Sequence, residues 1–381
     1  MKSKVVIIGA GISGCSIAYH LAKTGVKDIL VLDSSYLTSG ATGRCGAGIR
    51  QQWATEANCI LAKKSMEFFS TAKEELEYDG DIEFKQEGYL ILATTKEEDQ
   101  QFTKNVEMQN RLGIPAKKLS VKEALEIVPY LNPDSFISAT FCHTDGHLNP
   151  FKMTEAFYLA AKRLGVIFHF FEEVTSITTE SNKIVGVQTN KSYYEANIVV
   201  NAAGGFAHEI GLMVGVDIPV YSENHEILVT EPIEKMQGPM VMSFSKNLYC
   251  QQVPHGSFLM GRTTPHQLHD HNISSSWSFL DEMSKTICDI APIIGELRVI
   301  RQWGGSYNNS PDKQPIISKV KEVDGFFTAC GFSGHGFMFS PMTGRLMKEL
   351  ILNQETTVDK ALYDLERFKE MKQATVESSV V

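Results

Sequence analysis

The chain has 381 residues, 43% of them hydrophobic and 21% charged, and a net charge of −9. That is ample material for a large core, with two domains expected from length. The acidic balance and the lack of a basic tract argue against nucleic-acid binding, and no clean run of about 20 apolar residues offers a membrane span. The seven cysteines (15, 45, 59, 142, 250, 288, 330) are odd in number and include no CxxC pair. This argues against a disulfide framework or a structural zinc site and fits a reducing cytoplasm.

Residues 5–33 read as strand, glycine turn, helix, strand and acid. The apolar run Val5, Val6, Ile7, Ile8 suits a buried parallel strand. It leads into Gly9-x-Gly11-x-x-Gly14 and a helical pattern through Leu21. A second apolar strand, Ile29 to Leu32, ends on Asp33. This is the order of a dinucleotide site. Gly9 allows the tight turn, Gly11 admits a pyrophosphate close to the backbone, and Gly14 lets the helix lie near the strand. The helix N-terminus offers free N–H groups and a partial positive charge to the phosphates, and Asp33 can accept hydrogen bonds from a ribose diol. Lys2 and Lys4 before an apolar run would also suit a secretory signal, but three glycines and His20 interrupt the run and a second strand follows at once.

The stretch 37–53, rich in Gly, Ser and Thr, fits no period and is a loop directly after the second strand. Residues 54–78 read as a helix, with Ala62, Met66, Phe69 and Ala72 giving the apolar spacing. Residues 82–93 look like a hairpin, and helical patterns follow at 96–112 and 120–127. Asp145-Gly146 and Asn149-Pro150 mark a loop. A helix over 151–164 and a strand VIFHFF come next, then a hairpin in ITTESNKIVGVQT. The run 198–204 (IVVNAAG) is another buried strand ending in small residues, where a backbone can pass close to a flat ligand. Residues 220–310 alternate apolar and polar and carry five of the eleven histidines, as an antiparallel sheet with one open face would. The end reads strand, glycine loop, helix. The predicted fold class is therefore α/β, with a Rossmann-like domain assembled from three segments (1–80, 145–215, 315–371) and an inserted antiparallel-sheet domain (81–144, 216–314). A loose tail is expected over 372–381, and the cleft between the domains is the default ligand site.

The fingerprint, the 39–50 loop, NAAGG and Gly331-Phe332-Ser333-Gly334-His335-Gly336-Phe337 together resemble the FAD-dependent amine and amino-acid oxidoreductases, the family of D-amino-acid oxidase, glycine oxidase and sarcosine oxidase. The resemblance covers nearly the whole chain. GRCGAGIRQQW, TDGHLNPF and GFSGHGFMF look most like the β subunits of dye-linked L-proline dehydrogenase and of heterotetrameric sarcosine oxidase. It implies oxidation of a C–N bond in a small amino acid or secondary amine, with hydride passing to flavin N5 and the imine then hydrolysing. Gly9, Gly11, Gly14, Asp33 and Ser34 would hold the ADP half, with Val174, Ala202, Ala203 and Gly204 in the same cofactor set. Gly40, Ala41, Thr42, Arg44, Cys45, Gly46, Gly48, Ile49 and Arg50 would run beside the flavin, with Gly305 near it. Gly331, Phe332, Ser333, Gly334, His335, Gly336, Phe337 and Met338 would cover its pyrimidine side, where N–H groups stabilise an anionic reduced ring.

Two departures from the family pattern carry expectations. The position of a flavin-tethering cysteine before Tyr307-Asn308-Asn309-Ser310-Pro311-Asp312 is Gly305, and with no cysteine near, FAD is expected to be noncovalent. The position of an oxygen-activating lysine falls on Leu259, so a dehydrogenase passing electrons to a partner subunit is expected over a fast oxidase. The β-subunit analogy also suggests FMN at a subunit boundary, noncovalent because the tethering histidine's position falls near Pro150.

His335, Tyr307, Tyr249 and Arg262 are the candidate catalytic residues. His335 lies among glycines that imply close ligand approach. The two tyrosines match pocket positions in the resembling oxidases, although core tyrosines are as common. A substrate carboxylate wants an arginine fork. Arg50, Arg262 and Arg301 compete for that role, and Arg262 is preferred because it follows the strand over the flavin. His225 reads as a satisfied core histidine. His266, His269, Asp270 and His271 sit in a polar loop without a helix or sheet face, and no metal site is expected there. The competing functions are a stand-alone glycine, sarcosine or D-amino-acid oxidase, a flavin-bound scaffold or relay subunit, and a nicotinamide dehydrogenase.

Overall fold

A computed structural model describes residues 4–263, 270–370 and 376–379. Its first sheet has six strands. In order across the sheet they are Ile316–Lys319, Phe326–Cys330, Ile198–Asn201, β1 (Val5–Ile8), β2 (Ile29–Leu32) and Ile167–His169. All pairs are parallel except the first. Val5 lies opposite both Ile29 and Ile198. The unbroken apolar runs follow from burial on both faces. Val5, Ile7, Val31 and Val200 pack under four helices: α1 (Ile12–Lys23), α2 (Glu56–Ser70), Pro150–Arg163 and Gly336–Ile351. Val6, Ile8, Leu30 and Val199 point the other way, onto a three-stranded sheet carrying Ile177, Ile184 and Val187.

The second sheet has eight strands, ordered Val299–Asn309, Tyr221–Thr230, Phe258–Thr263, Leu248–Gln252, Met240–Ser243, Tyr89–Ala93, Ser138–Cys142 and Ala116–Leu119. It is antiparallel except where Met240–Ser243 runs parallel to Tyr89–Ala93. One face, with Leu90, Leu228, Val241 and Met260, packs under the helix Trp277–Ile290 and its neighbours. The other carries Tyr89, Ile91, Met240, Met242 and Tyr249. That face is not open, as the alternation of 220–310 suggests; it is turned toward the 45–50 loop. Buried aromatic and methionine side chains sit there because the facing surface is another part of the same chain.

Three further expectations need correction. Only Tyr89–Ala93 of the 82–93 hairpin is a strand, since Lys85 bridges His147 instead of folding back locally. The helix over 54–78 breaks at Thr71 into Glu56–Ser70 and Ala72–Glu75. Of the tail expected to be loose, residues 376–379 are described, and Glu377 and Ser379 are buried. No described helix is long and apolar enough to cross a membrane.

Candidate active site

The glycine turn is fixed by what a Cβ would strike. Gly9 has φ +108, and a Cβ on it would lie 2.3 Å from the Ala202 carbonyl oxygen. On Gly14 it would lie 1.9 Å from the carbonyl oxygen of Gly9. α1 therefore starts tight against β1 and the end of Ile198–Asn201. Gly11 begins α1 with no side-chain cap and no acid in the first turn, so the N–H groups of Ser13 and Gly14 lack an intrahelical partner and suit an anion. The Thr42 hydroxyl takes the Ile12 N–H at 3.1 Å. Asp33 ends β2 beside this turn. Its two oxygens accept from the N–H groups of Ala10 (2.7 Å) and Ser35 (2.8 Å), which aims the carboxylate and leaves lone pairs free. Ser34 is exposed, Gly204 has φ +58, and Val174 is buried in the core shared with Ile8 and Leu32.

A cavity of about 60 Å³, partly open to solvent, lies where the two sheets meet. The 45–50 loop supplies Cys45, Gly46, Ala47, Gly48 and Arg50. The large sheet supplies Tyr89, Met240, Met242, Tyr249 and Tyr307. The late loop and helix supply Ser333, Gly334, His335, Phe337 and Met338. The early loop lies flat on the sheet: a Cβ on Gly48 would overlap the Tyr89 hydroxyl at 1.7 Å. The late loop is pinned from the sheet by Asn308, whose side-chain oxygen takes the Gly331 N–H (2.6 Å) and whose carbonyl takes that of Ser333 (2.8 Å). Gly334 has φ +89, and any side chain there would meet the Tyr307 ring at 2.6 Å. His335 precedes a 16-residue helix and gives it no side-chain cap, so its first N–H groups open beside the cavity.

Four rings stay neutral around this space. His225 is sandwiched between Tyr307 (4.1 Å, parallel) and Tyr249 (5.6 Å), with its Nε2 3.3 Å from the Tyr249 hydroxyl. Burial pushes its pKa down to about 3 and holds both tyrosine phenols well above the ordinary value. His335 is kept neutral by burial; its ring stands edge-on to Trp53 at 4.3 Å, and its Nδ1 has no partner among the described residues.

Arg50 is the one lysine or arginine on the cavity wall, among the described residues. It is 3% exposed and stacks on Trp53 at 3.6 Å. Its Nη1 donates to the Gln52 carbonyl and its Nη2 to that of Ser379, whereas Nε has no partner among the described residues. Asp145 holds the backbone that carries it. Buried Asp145 accepts from the Gln51 N–H (2.8 Å) and Gln52 Nε2 (3.0 Å). Burial raises its pKa to about 6 despite those bonds.

Comparison with known proteins decides the family. The model for FAD dependent oxidoreductases matches residues 4–350. The chain belongs to this family. A crystal structure of L-proline dehydrogenase from P. horikoshii superimposes with a TM-score of 0.92 at 38% identity, covering 97% of this chain and 98% of that one. The sarcosine oxidase subunit beta of Rhodobacter capsulatus is 27% identical over 96% of this chain and 88% of its own length. Glycine oxidase of Geobacillus kaustophilus is 28% identical, over 95% and 96%.

The residues present fit FAD. The uncapped start of α1 and Asp33 suit pyrophosphate and ribose, and the cavity lies between the early loop, the late loop and the sheet. Cys45, Gly46, Gly48 and Arg50, and Ser333, Gly334, His335, Phe337 and Met338, line that space. Ile49 is buried, Gly40 and Ala41 are exposed, and Arg44 reaches the Gly304 carbonyl at 3.2 Å. Gly305 packs on Arg44, where a Cβ would come within 3.0 Å of its Cβ. Gly331, Phe332 and Gly336 complete the late turn.

Arg262 does not reach the site. It pairs with Glu282 (3.0 Å) and Thr286 (3.0 Å) on the helix Trp277–Ile290. Alternation along its strand explains this. Leu259 and Gly261 point at the cavity side, against Gly46 and Tyr249, whereas Met260 and Arg262 point to the opposite core. Arg301 is exposed beside Trp303. Cys45, expected beside the flavin, lines the cavity. Its thiol donates to the Thr42 carbonyl (3.1 Å), and burial raises its pKa to about 11, which keeps it protonated and a poor nucleophile. Sequence reading missed Tyr89, Met240, Met242 and Trp53 and gave His225 only a core role. The sole signal for Tyr89 is the glycine it demands at 48, 41 positions away. His266 and His269 lie outside the described residues; His271 bonds Glu209 at 2.6 Å.

Proposed function

We propose that the chain oxidises the C–N bond of a small amino acid or secondary amine, proline-like or sarcosine-like, and passes the electrons to a partner subunit or other acceptor in preference to oxygen. One observation carries the substrate class: a buried guanidinium on the cavity wall, bonded only to main-chain carbonyls and with a free Nε. A substrate carboxylate would supply the missing anion by a charge-assisted hydrogen bond. FAD, when bound, supplies the two-electron acceptor. Gly9, Gly11, Gly14 and Asp33 would hold its nucleotide half, and residues 45–50 and 331–338 its ring. It would be noncovalent, since Gly305 offers no tether and the Cys45 thiol is protonated.

The amine must lose its proton before the C–N bond can become an imine. The site favours that without a dedicated base. Arg50 brings a positive charge, and burial disfavours a second one, so both lower the pKa of a bound ammonium. His225 and His335 stay neutral and add no counter-charge. Met240, Met242 and the tyrosine rings keep water away from the reacting carbon. Leu259, beside Gly46, occupies the position to which the family resemblance assigns an oxygen-activating cation, which supports slow reaction with oxygen. Relatives named as subunit beta support a partner chain as acceptor.

The test is anaerobic titration of the yellow protein with L-proline, sarcosine, glycine and D-alanine, followed by air. Bleaching by one of the secondary amines with slow recovery in air is expected. Recovery within milliseconds to seconds with peroxide release would refute the acceptor assignment, and no bleaching by any of the four would refute the substrate class.

A further inference from the structure

The described residues of the C-terminal segment, 376–379, belong to neither sheet, yet they enter the interior. Glu377 is 2% exposed. Its carboxylate accepts the Thr55 hydroxyl (2.7 Å), Asn58 Nδ2 (2.9 Å) and the N–H groups of Ala54 (3.2 Å) and Thr55 (3.3 Å). Thr55 precedes α2 and makes no cap with its own side chain, so Glu377 satisfies this helix start from the far end of the chain. The Glu377 N–H donates to the Asp312 carbonyl (3.1 Å), and the Ser379 N–H returns to Glu377 Oε1 (2.9 Å). The turn so formed delivers the Ser379 carbonyl to Arg50 Nη2.

We infer that this segment is a positioning element of the substrate site, an inference that rests on the reading of Arg50 as the carboxylate anchor. Arg50 lies on the Trp53 ring, which fixes the plane of the guanidinium but not its rotation within that plane. Two carbonyls fix the rotation: Gln52 at Nη1 and Ser379 at Nη2. Both are neutral, so they orient the group without cancelling its charge, and Nε stays free. Glu377 and Asp145 are the carboxylates that act on its charge, and Asp145 is held by Gln51 and Gln52. The Glu377 oxygens are held at the start of α2 by four donors. The segment thus keeps the guanidinium aimed with no carboxylate hydrogen-bonded to it, and its removal leaves Nη2 without an acceptor and the fork free to turn.

The experiment uses the flavin-loaded full chain, a variant lacking residues 376–381, Glu377→Gln and Arg50→Lys. Each is titrated with pyrrole-2-carboxylate and with pyrrole-2-carboxamide, followed by the flavin absorbance change, alongside flavin content. The shortened chain should bind the carboxylate about tenfold more weakly, the scale of one hydrogen bond to a charged group, with amide binding and flavin content unchanged. KM for the amino-acid substrate should rise more than kcat falls. Should the shortened chain lose its flavin, Glu377→Gln, which keeps the chain length, decides on the same carboxylate-against-amide split. Equal loss for both probes, or loss for neither, overturns the inference. If Arg50→Lys weakens the carboxylate while the tail variants do not, the tail assignment alone fails; if Arg50→Lys leaves the carboxylate unaffected, the reading of Arg50 fails with it.

Discussion

The glycine corner of β1 and α1 and the cavity wall are built on different principles. The corner is a main-chain object. Gly9, Gly14 and the end of Ile198–Asn201 approach so closely that a Cβ would overlap a carbonyl oxygen, and the groups it offers a ligand are N–H donors and one carboxylate. All of it lies within 29 consecutive residues and one neighbouring strand. The cavity wall is a side-chain object. Arg50, Tyr89, Tyr249, Tyr307 and His335 come from five separate stretches, and each is aimed by a neighbour: Arg50 and His335 by Trp53, Tyr249 and Tyr307 by His225, Tyr89 by Gly48. A backbone site tolerates change only where there is room, whereas a side-chain site can be tuned one group at a time.

The largest effect should come from breaking the corner. Gly14→Val places a Cβ 1.9 Å from the Gly9 carbonyl oxygen. It should cost about 3 kcal/mol or more and abolish FAD retention, read by flavin absorbance per chain and thermal unfolding. A variant that folds and holds a full complement of FAD would show that the corner is not a close-packed main-chain site. On the wall, Leu259→Lys should speed reoxidation of the reduced protein by air on the order of a hundredfold, measured by stopped flow; an unchanged rate would remove the argument from the missing cation. Tyr307→Phe deletes one hydroxyl and keeps the stack on His225, so kcat/KM should fall about fivefold, about 1 kcal/mol, with flavin content intact.

Acid should act through the wall as well. His225 has a folded pKa of about 3, below the ordinary histidine value of about 6.5. The unfolded chain therefore binds the extra proton first, and the stability tied to neutral His225 is lost as pH falls from about 6.5 toward 3. Asp145 acts in the opposite sense, because its raised value of about 6 makes stability fall as pH rises from about 4 to 6. His225→Gln should flatten the loss of thermal stability between pH 6.5 and 4, and a slope identical to the parent's would mean that His225 is not the group responsible. The smallest effect belongs to Arg262→Met, which disrupts a pair with Glu282 on the far face of the sheet. Steady-state activity should stay within about twofold, with about 1 kcal/mol or less lost in stability. A large rise in KM would return Arg262 to the substrate site.

The strand–turn–helix–strand corner was legible because its determinants are local. Tight turns need glycine at fixed spacing, and runs buried on both faces read as unbroken apolar strands. The late loop was legible for the same reason, with Gly331, Ser333 and Gly334 all at positive φ. The arginine was misassigned because proximity along a strand says nothing of face: three residues beyond Leu259, the side chain points to the other core. Tyr89 and Met242 sit in apolar strands that look like any core.

The sequence by itself determined the order of elements, the glycine corner and the residue types a flavin site requires, since all of these are set by interactions over a few residues. Tertiary structure alone decided which arginine reaches the cavity, that His225 stands between two site tyrosines, and that residues 376–379 return across more than 300 positions to Arg50 and the start of α2. Those contacts depend on sheet order and strand face, which arise only when distant segments pack against each other and bury their side chains together.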